Sequence, residues 1–261
     1  MNAGMWGKLG GYALVLMVGF PGWAAADSTA DSVTVPDSDA YFQDTVGNRW
    51  EYRGHLAEGP MQTIADKVFL NTSTVTGTTT LKGVMVKVFH DTNAGSHGAS
   101  DSYYRRDQVG IVYYGSQPGS SLDRQLAPYQ IIRFPVVVPS SFQQFNRKDI
   151  DFGVDLDGDG ENERADVEAT VHVLAREAVT VPAKTFPDAL KVEARMRMHI
   201  RYTTDKQTDI GTDTMTAWFA RGVGLVKYVE YQQLPGMKGR RGIVTEIIEE
   251  LVEADIKPVT K

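Results

Sequence analysis

Cysteine is absent from all 261 residues. That absence removes a disulfide framework, a thiol nucleophile and a lipid-modified cysteine together. Long apolar runs are scarce as well: beyond residue 26 nothing approaches the roughly 20 residues that a membrane-spanning helix needs, so no transmembrane segment is expected in the mature chain. Positive charge is in deficit, with 27 Lys and Arg against 33 Asp and Glu, a formal charge of −6. The first 26 residues contribute only Lys8 to that balance, which leaves −6 − 1 = −7 for the remainder. Mild acidity of this kind argues against nucleic acid or an anionic membrane surface as partner. Catalytic signatures are missing too: there is no G-x-S-x-G, H-E-x-x-H or S-x-x-K, and His55, His90, His97, His172 and His199 are too dispersed to pair at metal-ligand spacing. The sequence therefore reads as a non-enzyme.

What is present begins with an export signal. Lys8 precedes an apolar run from Gly11 to Phe20, Pro21-Gly22 interrupts it, and Ala24-Ala25-Ala26 follows. That order predicts a signal peptide over residues 1–26 cleaved before Asp27, and a periplasmic or secreted protein. Residues 27–40, rich in Ser, Thr and Asp, read as a flexible leader. Residues 41–257 read as a single β-rich domain, because short runs of Val, Ile, Thr, Tyr and Phe alternate with Gly, Asp, Asn and Pro.

Several hairpins can be placed. Asp107-Gln108-Val109-Gly110 suits a tight turn that sets Tyr104 opposite Tyr114. Ala189 to Tyr202 and Thr212 to Ala220 form a second pair, and Arg221-Gly222-Val223-Gly224 leads on to Leu225 to Tyr231 as a meander. From Ile243 to Ile256 the apolar residues recur every four positions, a helical period, although the β-branched content suits a strand. Tyr103, Tyr104, Tyr113 and Tyr114 are expected to pack mainly in the core, with an aromatic ligand surface as the alternative.

The most specific local pattern runs from Asp155 to Asp166. Counting Asp155 as position one puts acids at one, three, five (Asp159) and nine (Glu163), glycine at six and Asp166 at twelve, the spacing of an EF-hand calcium loop. Alternate side chains curl onto a hard cation, glycine permits the sharp turn, and the carbonyl of Glu161 adds a ligand. The expected metal set is therefore Asp155, Asp157, Asp159, Glu161, Glu163 and Asp166, with structural Ca2+ as the cofactor. Aspartate at position twelve is shorter than the usual glutamate, so binding in the weak extracellular range, on the order of 10⁻⁴ to 10⁻³ M, is expected. The bland reading is a solvated acidic turn.

Three strings carry a resemblance: Val46-Gly47-Asn48-Arg49-Trp50-Glu51-Tyr52, Val179 to Val192, and Trp218 to Lys227. In this order they resemble a group of uncharacterised bacterial secreted proteins. The resemblance implies a fold similar to periplasmic lipoprotein-carrier half-barrels: a single curved antiparallel sheet of long strands with a concave apolar face. It brings no catalytic residues. It favours a final strand over a helix for Ile243 to Ile256. The sequence departs from the group at Lys184 and Arg221, both in turns. The function expected of the whole is an exported, non-enzymatic β-domain that binds an apolar ligand or an envelope protein on its concave sheet, with calcium stabilising the loop. The rivals are a structural or assembly component of the envelope and a hydrolase of unrecognised type.

Overall fold

A computed structural model describes residues 32–60, 65–93, 95, 97–236 and 242–258; the predicted signal peptide lies outside them. Alternation of buried and more exposed residues, the period-two pattern of a half-buried strand, is clear along Arg164–Val181 and Gly224–Leu234. The strands are β1 (Val33–Thr34), β2 (Arg49–Pro60), β3 (Ala65–Leu81), β4 (Val84–Asp91), β5 (Ser100–Asp107), β6 (Gly110–Gln117), β7 (Tyr129–Arg133) and β8 (Val137–Val138). They continue with β9 (Ser140–Asp151), β10 (Arg164–Val181), β11 (Lys184–Arg201), β12 (Thr208–Ala220), β13 (Gly224–Leu234) and β14 (Ile243–Asp255). One short helix, α1 (Ser121–Leu126), and a 3-10 turn, Ser38–Tyr41, complete the described elements.

Twelve strands make one antiparallel sheet. Two meanders, β2 to β7 and β9 to β14, join where β14 pairs with β2. The free edges β7 and β9 curl toward each other: the Gln144 side-chain amide donates to the Gln130 carbonyl at 3.1 Å, and the Tyr129 and Phe145 rings lie 5.3 Å apart. The result is a nearly closed barrel, rounder than the expected half-barrel. Its interior is filled by Leu190, Met198, Ile200, Phe219, Tyr104 and Tyr113 among others, all essentially buried. The outer face carries charge along its strands, including the Lys227–Glu250 pair at 2.8 Å and Arg53 beside Glu250. A lipid-facing barrel would carry an apolar band there. Among the described residues no helix is long and apolar enough to cross a membrane.

Two expectations are corrected. The leader does not extend to residue 40: Val33 and Thr34 pair with Val138 and Val137, the Val35 amide donates to the Val136 carbonyl at 2.8 Å, and Val35 and Tyr41 are buried. Backbone pairing and the burial of Val35 hold this segment despite its polar composition. Tyr104 lies opposite Tyr113, not Tyr114, because the two-residue turn pairs Asp107 with Gly110. Residues opposite one another share a face, so Tyr104 and Tyr113 point into the barrel, while Tyr103 and Tyr114 line a shallow outer groove. Ile243 to Asp255 is a strand, as the resemblance favours, despite its four-residue recurrence.

Candidate functional site

Two places gather chemistry: the acidic loop between β9 and β10, and a pocket at one end of the barrel. The neck of the loop is closed by two backbone bonds, Phe152 amide to Glu163 carbonyl at 2.8 Å and Glu163 amide to Val154 carbonyl at 3.1 Å. Within it Asp155, Asp157 and Asp159 each bring a carboxylate oxygen within 4.8 Å of the others. Their other bonds are local or reach the β11–β12 turn. Asp155 accepts from the Gly158 and Gly160 amides, Asp157 from the Thr204 amide at 3.1 Å, and Asp159 from the Thr203 hydroxyl at 2.6 Å.

The remaining members of the predicted metal set stand apart. Glu161 is exposed. Glu163 is fully buried and turned inward: one oxygen accepts the Leu156 and Asp157 amides, both at 3.0 Å, and the other accepts the Thr203 amide at 3.0 Å. It ties the loop to the turn rather than facing the three aspartates. Asp166 lies in β10, where it accepts from the Asp149 amide at 2.9 Å and pairs with Arg201 at 3.0 Å and Lys148 at 3.2 Å. These donors hold its carboxyl down at about 2. The geometry thus does not give Asp166 the closing role its spacing implies. In an EF-hand a helix follows the loop, whereas here an extended strand begins at Arg164 and carries Asp166 away at about 3.3 Å per residue.

The pocket was not visible in the sequence. Its walls are aromatic: the Trp50 and Phe89 rings stack at 6.1 Å and 18°, and Tyr104 meets Phe89 edge-on at 5.2 Å and 81°. Phe42, from the segment after the 3-10 turn, packs against Phe89 at 5.9 Å and against Phe219 at 6.5 Å. Two walls are pinned by polar tips, since the Trp50 indole donates to the Val223 carbonyl at 2.7 Å and the Tyr52 hydroxyl to the Leu225 carbonyl at 3.0 Å. Asp91 and Glu249 also line the space, and the Asn71 side-chain amide donates to both, at 3.1 and 3.2 Å. Burial, with Glu249 and Asp91 adding to it, pushes the Tyr52 phenol well above its ordinary value. The cavity measures about 40 Å³. That is a few times the roughly 10–15 Å³ one water requires, the size of a chemical group rather than a lipid chain.

Farther along the interior, Asp213, Glu230 and Gln232 are buried on β12 and β13. The Gln232 amide donates to Asp213 at 3.2 Å, and the Tyr228 hydroxyl to Glu230 at 2.6 Å. Burial raises the Asp213 carboxyl to about 8. The histidines are dispersed: His90 meets Asp101 at 2.8 Å and His55 is 3.8 Å from Asp66, and among the described residues no histidine joins a cluster of three possible metal ligands.

No family model and no curated protein matches this chain. Solved structures resemble it at low similarity. A "putative exported protein with YmcC-like fold" from Bacteroides fragilis is 15% identical, with 82% of this chain and 98% of that chain covered at a TM-score of 0.37. A "putative lipoprotein" from Parabacteroides distasonis is 17% identical over the same shares at 0.38. A "putative outer membrane lipoprotein-sorting protein domain" from Vibrio parahaemolyticus is 8% identical, covering 86% of this chain and 91% of that one, at 0.22.

Proposed function

We propose that this protein is an exported, non-enzymatic binding module of the cell envelope whose aromatic pocket receives an apolar ligand or a side chain of an envelope protein. The observation that carries this reading is the pocket itself. Rings from Phe42, Trp50, Phe89 and Tyr104 surround a small open space at one end of the barrel. Binding sites are typically concave and apolar, with a few placed polar groups. Export rests on the N-terminal sequence signal.

A calcium ion is proposed as a structural cofactor of the loop, held by Asp155, Asp157 and Asp159 with the carbonyl of Glu161. Three carboxylates in one short segment repel one another without a cation, and hard oxygen donors at this spacing suit calcium. Water would complete the shell, in keeping with weak affinity.

Native mass spectrometry of the protein recovered from its own exported fraction tests the binding role. Wild type is expected to carry an adduct that Ser73→Phe, which fills the pocket, does not. A bare mass for wild type, or the same adduct on Ser73→Phe, would overturn the reading.

A further inference from the structure

The chemistry of the pocket narrows the ligand further. No lysine or arginine is among the described residues that line it, yet two carboxylates are, Asp91 at 9% and Glu249 at 4% exposure. Both are fixed by the same donor, because the Asn71 amide spans them while its own carbonyl accepts the Asn93 amide at 3.1 Å. Asn71 is itself buried, so the carboxylates are held by a built support. A neutral group filling the space would complete the desolvation of both carboxylates while bringing no charge to them, which is costly. A hydrated metal ion would satisfy the carboxylates but gain little from the rings. An organic cation uses both features, since the π-faces of Trp, Tyr and Phe attract ammonium groups and the carboxylates supply the countercharge.

Resting on the reading of this pocket as a ligand site, we propose that it binds an organic ammonium group carried on an apolar stem. Trp50, Phe89 and Tyr104 form the collar, and Asp91 and Glu249 the anionic floor. The small volume admits the ammonium group and leaves its stem outside.

Calorimetric titration with choline and with its uncharged carbon isostere, 3,3-dimethyl-1-butanol, tests this. Choline should bind saturably and the isostere at least roughly tenfold more weakly, the size of a cation–π contribution in a partly desolvated site. Glu249→Gln, which keeps an oxygen for Asn71, should weaken choline about tenfold without altering the isostere. Asp91→Asn should do the same, and the melting temperature of each variant establishes that it is folded. Equal binding of choline and isostere, or undiminished choline binding by both folded variants, overturns the ammonium assignment and leaves the ligand site standing. Binding of neither compound overturns both readings.

Discussion

At the scale of single residues, the loop shows how one spacing pattern can mix different jobs. Glu163 stood in the predicted metal set only through its position, yet it accepts three backbone amides while fully buried. Glu163→Ala should cost about 3 kcal/mol in urea unfolding, since it strands buried donors; a loss within experimental error would show the bonds to be dispensable. Asp155, Asp157 and Asp159 were legible because alternation within five residues needs no tertiary context. The role of Glu163 was not, because its third donor comes from Thr203, 40 positions away. If calcium occupies the loop, millimolar calcium raises the melting temperature relative to chelator by mass action. Asp157→Asn should abolish that gain and Asp166→Asn should leave it intact; loss of the gain in Asp166→Asn would restore Asp166 to the ligand set. Asp213 provides a separate test in pH. Its folded-state pKa is raised from 3.8 to about 8, so the folded protein holds the proton more tightly. The associated stability is therefore full below pH 3.8 and is lost as pH rises through about 8. Asp213→Asn should flatten the decline of melting temperature across that window. An unchanged slope would show that Asp213 ionises as an ordinary carboxylate.

At the scale of elements, β14 explains why a strand can look helical. Thr245 and Glu249 occupy interior positions that a simple alternation would give to apolar residues, while Ile248 and Val252 face outward, so the alternation is masked. The polar interior residues that obscured the strand include one that lines the pocket. The hairpins were easier to read because glycine placement reports backbone need. Gly110 has φ +142°, and a Cβ there would come 2.0 Å from the Ile132 carbonyl. Gly54 on β2 tells a similar story of close approach: a Cβ there would meet the Phe69 ring at 2.1 Å. Phe69 covers the glycine from the neighbouring strand and closes a small cluster with Leu56 and Ile247. Gly54→Ala should therefore destabilise by about 1–3 kcal/mol, the usual cost of overpacking. In a Phe69→Ala background the same change should cost much less, as a double-mutant cycle would measure; equal costs in both backgrounds would separate the two residues energetically.

At the scale of the whole molecule, β-dominance was legible from the recurring runs, but closure and the pocket were not. Phe42, Trp50, Tyr52, Asp91, Phe219 and Glu249 are scattered over more than 200 positions and meet only because β14 pairs with β2. No local period encodes that pairing. Closure also changes what the barrel can hold. A half-barrel would offer a long concave face, whereas here Leu190, Met198, Ile200 and Phe219 fill the interior. The proposed binding is thereby confined to one end. Its most direct test is heteronuclear NMR of the protein titrated with choline and with 3,3-dimethyl-1-butanol. Saturable shifts are predicted for the Trp50 indole and for the amides of Phe89, Gly224 and Leu225, with β10 and β11 undisturbed. Shifts centred on β10 and β11, or no saturable shift with either compound, would contradict it.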